Sequence, residues 1–275
     1  MKNTARKRKP AGPAQHAGGE RQFVQAFARG LKVIQAFGAG AGQLTLSEVA
    51  ARSDLTRAGA RRLLHTLETL DFAARNERYY YLTPRVLSLG HAYLSSMPLW
   101  NFAESVLQRL VEDVRETCSV SVLDETEVVY VLRVPVHRIL STGASVGSRL
   151  PAHCTSMGRV LLAGLSEAQL EHYFDVAALT RYSARTTVDA KQLRRILAAD
   201  RAQGWSWVSG EMEEHISGLS VPVVDGEQRV LAALNISFNR VGLSKGAAVK
   251  KYLPRLRRAA EQMSASLALN ASRRA

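Results

Sequence analysis

Residues 43–84 read QLTLSEVAARSDLTRAGARRLLHTLETLDFAARNERYYYLTP. Leu46, Val49 and Ala50 fall at i, i+3 and i+4, the spacing of one buried helix face, and Thr45 or Ser47 can cap its start. Ser53 and Asp54 break the period, and Leu55 plugs the turn. Thr56 then caps a second helix whose inward stripe is Ala60, Leu63, Leu64, Leu67 and Leu70. Small Ala50 facing small Ala60 lets the two helices cross closely, as a helix-turn-helix requires. Asp54 stands in the turn where glycine is frequent. The outer face of the second helix carries Arg57, Ala58, Arg61, Arg62 and His65. Guanidinium forks there suit guanine edges or phosphates, although an exposed basic helix alone is as often plain solvated surface.

The next residues tip the balance towards a groove-reading surface. Residues 73–75 and 79–82 read as two short strands, with Asn76, Glu77 and Arg78 as the turn between them. Arg75 and Arg78 at such a tip reach for backbone phosphate or the minor groove. Upstream, residues 23–37 supply a packing helix with apolar Phe27, Leu31, Ile34 and Phe37, which completes a winged helix-turn-helix. Charge follows the same division. The chain has 37 Lys and Arg against 24 Asp and Glu, and residues 1–90 hold 15 of the basic and 6 of the acidic ones. The positive field is therefore concentrated in the first third, as in a nucleic-acid footprint. Residues 1–20, where Lys2, Arg6, Lys7, Arg8 and Lys9 sit among Pro, Gly and Ala, read as a disordered basic tail that adds non-specific phosphate attraction.

With 275 residues, 46% of them hydrophobic, the chain can fill two cores. Cys118 and Cys154 give no disulfide framework and no metal-ligand spacing with histidine, so a reducing cytoplasm is expected and a metal is not. The basic start runs into Pro and Gly rather than an apolar segment, and the longest uncharged stretch, 86–103, is too polar to span a bilayer. Neither a signal peptide nor a membrane role is expected. The expected organisation is a tail at 1–20, a winged helix-turn-helix at 21–84, a linker helix at 85–98 broken near Ser95-Ser96-Met97-Pro98, and a second domain at 99–275.

That second domain alternates its signals. Residues 100–116 form an amphipathic helix. Strands at 120–123 and 128–133 flank the turn Asp124-Glu125-Thr126, and 139–144 is a third candidate. Residues 156–163 are helical and end at Gly164. Ser166 with Gln169 makes a capping box for the next helix, and 189–203 is a helix stopped by Gly204. Strands follow at 205–208, 219–224 and 230–237, the last two joined through Asp225-Gly226, before a long helix at 247–269. An antiparallel sheet flanked by helices makes the fold class α+β.

Long ordered strings carry a resemblance. VGSRLPAHCTSMGRVLLA at 146–163, EEHISGLSVPV at 213–223 and VLAALNIS at 230–237 resemble the IclR family of bacterial transcription regulators over the chain from Phe23 onward. The run 150–159 and the linker 86–96 are similar to its β-ketoadipate-pathway branch, whose members respond to aromatic acids or their ring-opened dicarboxylates. The resemblance implies a winged helix-turn-helix joined by a helix to a GAF-like effector domain, working as a homodimer or homotetramer on palindromic double-stranded operator DNA. RNA polymerase is a further implied partner. Position by position, it implies an effector pocket lined by Leu150, Ser156, Met157, Glu211, Val221, Asn235 and Ser237. The mixture is reasonable, with apolar walls beside hydrogen-bonding groups and the Ser156 amide near a helix N-terminus that favours a carboxylate. Glu211 is awkward for an anion. Arg138, Arg149 and His153 are the candidates to neutralise one.

The expected function is therefore a ligand-responsive DNA-binding regulator of an aromatic-acid catabolic operon. The alternatives are an IclR-type repressor of another carbon-source pathway sensing a small keto acid, and an architectural DNA binder. Activation and repression both stay open. An enzyme is not expected, nor a cofactor. His153, Cys154 and Ser156 lie too close in sequence to converge as nucleophile and base, and no orienting acid or nucleotide loop accompanies them.

Overall fold

A computed structural model describes residues 23–38, 42–96, 99–136, 144–239 and 242–272, and they fall into two compact units, Met1–Ala92 and Tyr93–Ala275. In the first, α1 (Gln25–Gln35), α2 (Leu46–Arg52) and α3 (Arg57–Thr69) pack with a small antiparallel sheet of β1 (Leu44–Thr45), β2 (Ala73–Asn76) and β3 (Tyr79–Leu82), ordered β1-β3-β2. Thr45 caps α2 in a reciprocal box with Glu48, and Thr56 caps α3 by accepting from the Gly59 amide at 3.1 Å. Between the helices Asp54 takes φ +54°, the left-handed turn that short polar side chains tolerate. Val33, Val49, Ala50, Ala60, Leu64 and Leu67 form the core with Leu55 packed against it.

Three expectations need correcting here. Phe27 (69% exposed) and Leu31 (41%) do not face this core, because α1 inserts only its last turns, through Val33, Ala36 and Phe37. Leu70 (51% exposed) is the C-cap of α3 and has rotated past the buried stripe. Asn76 is not a turn residue: it pairs with Tyr79, leaving a two-residue turn in which Glu77 has φ +52°.

The second unit follows α4 (Leu87–Ser96), a helix spanning the boundary between the two. Its six-stranded antiparallel sheet has the order β6-β5-β4-β9-β8-β7, with β4 (Thr117–Asp124), β5 (Glu127–Val134), β6 (Arg149–Pro151), β7 (Ser206–Ser209), β8 (Ile216–Val224) and β9 (Val230–Asn239). Strand alternation divides its side chains between two cores. On one face Val120, Leu219, Val221 and Ile236 meet α5 (Leu99–Val114) and α9 (Lys245–Ser272). On the other, Val128, Tyr130 and Ala233 meet α6 (Ser156–Ala163), α7 (Glu167–Val176) and α8 (Ala190–Gln203). Ser166 and Gln169 form the expected capping box, and Gly204 ends α8 at φ +73°. The strand at 149–151 went unforeseen, and residues 139–143 of the expected third strand lie outside the described residues. No helix among the described residues is long and apolar enough to cross a membrane.

All eight residues of α6 are buried, and Gly158 makes that approach possible. A Cβ there would stand 2.1 Å from the Ala152 carbonyl oxygen and 2.3 Å from its Cα, backbone atoms with no room to give. The better helix propensity of alanine, worth about 1 kcal/mol, is outweighed by overpacking of about 1–3 kcal/mol or more. Gly158→Ala is expected to lower the urea midpoint; an unchanged or raised midpoint contradicts this packing.

Candidate functional site

In the first unit, Arg57, Ala58, Arg61, Arg62 and His65 all lie on the exposed side of α3, opposite Ala60, Leu64 and Leu67. All four charged or titratable side chains among them are exposed, so their donors face solvent. At the wing, Arg78 donates to the Tyr79 hydroxyl at 2.9 Å and lies over its ring, while Arg75 sits over the Tyr80 ring. Thr45 and Thr56 are occupied as caps: Thr45 Oγ1 donates to Glu48 at 2.7 Å and Thr56 Oγ1 accepts from Gly59.

The second unit has a partly open cavity of about 120 Å³ between the N-terminus of α6, the strands and the 208–218 segment. Drug-sized sites start at about 300 Å³, so this one admits a single ring or a short chain. Leu150, Met157, Val208 and Ile216 give it apolar walls, and Ser156, Asn235, Ser237 and Arg133 supply polar groups. Of the residues expected in a pocket, Leu150, Ser156, Met157, Glu211, Asn235 and Ser237 are brought together here.

The others are not. Val221 is buried among Leu219, Val223 and the α5/α9 residues, because it belongs to the opposite set of alternating side chains on β8. Arg149 is exposed and committed to Asp124 and Glu127, each at 2.7 Å. His153 is buried away from the cavity, where Nε2–H donates to the Thr180 carbonyl at 3.0 Å. Burial pushes its pKa below the ordinary histidine range, and the nearby Arg159 adds to that. Arg138 lies outside the described residues.

Arg133 and Tyr130 are two of the lining residues that the sequence hid. Tyr130 pairs with Ser121 but Leu132 pairs with Val120, so Val131 is an extra residue in β5. That bulge resets the alternation and puts 130 and 133 on one face, with Arg133 Cζ 5.5 Å from the Tyr130 ring. The register shift has no signature in the local string.

Glu211 proves compatible with an anion after all. Arg159 Nη2 approaches its two carboxylate oxygens at 2.7 and 2.8 Å, the Thr187 amide donates at 2.9 Å, and Arg159 Nε holds the His153 carbonyl. The carboxylate is neutralised within the wall. Cys154, whose Sγ lies 3.0 Å from Met212 Sδ, is a protonated thiol with its pKa pushed up to about 12 by burial.

The same two units are matched by family models: the IclR helix-turn-helix domain over residues 26–77 and the bacterial transcriptional regulator IclR C-terminal over residues 91–265. The chain belongs to the IclR family. Among relatives, the Pca regulon regulatory protein of Pseudomonas putida is 39% identical over 246 residues, 89% of this chain and 84% of that protein. The p-hydroxybenzoate hydroxylase transcriptional activator of Acinetobacter baylyi is 34% identical, across 88% and 91% of the two chains. The crystal structure of an IclR homolog complexed with 4-hydroxybenzoate, from Microbacterium hydrocarbonoxydans, aligns with a TM-score of 0.77 at 27% identity, across 88% and 98%. As an IclR regulator, the chain carries its helix-turn-helix in the first unit and the family's C-terminal domain in the second.

Removing one partner of a buried ion pair strands the other charge, at a cost of about 3–5 kcal/mol, whereas replacing both with apolar groups is often close to neutral. Arg159→Met is therefore expected to be strongly destabilised in chemical denaturation, with most of the loss recovered in Arg159→Met/Glu211→Met. A single variant within about 0.5 kcal/mol of the native protein contradicts the role given to the pair.

Proposed function

We propose that this IclR regulator controls an operon for the catabolism of aromatic acids of the β-ketoadipate type, and that a small aromatic acid in the cavity of the second unit is its signal. The observation that carries this reading is the cavity: it has single-ring size, apolar walls, and a guanidinium and a serine at a helix N-terminus as its anion-favouring groups. Its likeness to the Pca regulon regulatory protein and the p-hydroxybenzoate hydroxylase transcriptional activator supports it. Arg133 replaces Arg149 and His153 as the cation that meets the carboxylate.

The α3 face with Arg57, Ala58, Arg61, Arg62 and His65 enters the major groove, with the Arg75 and Arg78 wing on the adjacent backbone. Thr45 and Thr56 act there as caps that aim the helices. The protein works as a dimer or a dimer of dimers. Apolar Phe23, Val24, Phe27 and Leu87, each about two-thirds exposed or more, favour association with a second copy. Ligand alters operator affinity only to the extent that it prefers one arrangement of that dimer. Reading DNA places the protein in the cytoplasm, and RNA polymerase is its partner at the promoter.

Fluorescence anisotropy on DNA from the gene's upstream region, against scrambled DNA at two salt concentrations and with a panel of aromatic acids, tests the reading. Arg61→Ala is expected to lose about 10- to 100-fold in affinity for the native sequence, the worth of a base contact. Arg133→Ala should keep operator binding and lose the response to acid. Equal binding to scrambled DNA together with indifference to every acid overturns the proposal.

A further inference from the structure

Helix α9 carries more positive charge than its packing uses. Between residues 245 and 262 stand Lys245, Lys250, Lys251, Arg255, Arg257 and Arg258 against a single acid, Glu261. Ala248, Tyr252, Leu256, Ala259 and Met263 turn inward to the core. At 3.6 residues per turn, that leaves positions 250, 251, 255, 257 and 258 on one continuous exposed arc. Asp113 of α5 answers Arg255 at 3.0 Å, and Arg257 Nη2 donates to the Gln203 carbonyl at 2.9 Å. Lys250, Lys251 and Arg258 stand exposed beside them, Lys251 resting over the Tyr252 ring.

Like charges at i, i+3 or i, i+4 destabilise a helix, and Lys251–Arg255 and Arg255–Arg258 are two such pairs. A merely solvated helix face interleaves the two signs, and this one does not. Nor does the arc offer a large apolar side chain: among its cations it shows Pro254, Glu261 and Gln262. Protein partners are anchored by buried aromatic and aliphatic groups, whereas a phosphate backbone asks for charge alone. The lengths also match. Lys250 to Arg258 spans about 12 Å of helix, over which one strand of duplex DNA presents about three or four phosphates.

Resting on α3 as the sequence reader, we propose that α9 is a second DNA-contacting surface, on which Lys250, Lys251, Arg257 and Arg258 grip the phosphate backbone of duplex DNA. Such contacts add affinity and salt dependence without adding base preference. The second unit thereby holds DNA directly, in addition to the contact made by α3.

Fluorescence anisotropy of the full-length protein on a long scrambled duplex, across a salt series, tests this with Lys250→Gln/Lys251→Gln/Arg258→Gln. Each phosphate contact contributes about 0.9 to the slope of log affinity against log salt, so the triple variant is expected to show a slope shallower by about 2 to 3. Its preference for the gene's upstream sequence over scrambled DNA should persist, and its urea midpoint should hold or rise as like-charge pairs are relieved. Lys250→Arg/Lys251→Arg/Arg258→Lys should keep the native slope. An unchanged slope in the triple variant overturns the inference and leaves α3 standing as the reader. Poly-glutamate that binds the native protein but not the triple variant, with the duplex slope the same in both, assigns the face to an acidic protein and overturns it as well. A native protein without sequence preference, whose slope still falls in the triple variant, overturns the α3 reading and not that of α9.

Discussion

A fully buried helix can carry polar side chains only where each finds a partner, since an unpaired buried hydroxyl or charge costs several kcal/mol. Helix α6 is under that constraint, with Ser156 and Arg159 among its eight buried residues. Ser156 is answered by Ser220 and Asn235 from the sheet, and Arg159 by Glu211 and the His153 carbonyl. These contacts set the rotation of α6 over the sheet, and Gly158 sets its depth. The cavity is the space left beside that docking, so its polar groups are positioned by the fold's own requirements.

The same contacts settle the charge of the site. A carboxylate in the wall would repel an anionic ligand, but the Arg159 guanidinium and the Thr187 amide hold Glu211. Thr186 Oγ1 donates to the Glu211 carbonyl, and Ser183 to the Gly210 carbonyl, so the segment around residues 183–187 is strapped to the wall. Among the described residues, Arg133 is a cation bordering the cavity. One ion pair thus supports the wall and leaves the opening suited to an acid.

Local signals in the sequence were enough wherever local physics decides the outcome. The capping residues Thr45, Thr56 and Ser166, the αL glycine at 204 and the α3 stripe depend on neighbours within a turn or two. What escaped depends on distant chain. Phe27 and Leu31 have the spacing of a buried face, yet the core they would join is only as wide as the end of α1. Val221 is apolar and adjacent to the right strand positions, but alternation sends it to the other core. Arg149 and His153 are chemically apt for an anion and were claimed by Asp124, Glu127 and Thr180. Arg133 was missed because one extra residue in β5 decides which way it faces.

The central claim is that an aromatic acid is read in the cavity lined by Ser156, Met157 and Arg133. A crystal structure of the full-length protein with 4-hydroxybenzoate tests it most directly. The account predicts the ring between Leu150 and Met157, with the carboxylate within hydrogen-bonding distance of Ser156 or Arg133. An acid bound elsewhere on the second unit, with this cavity left empty, would contradict it.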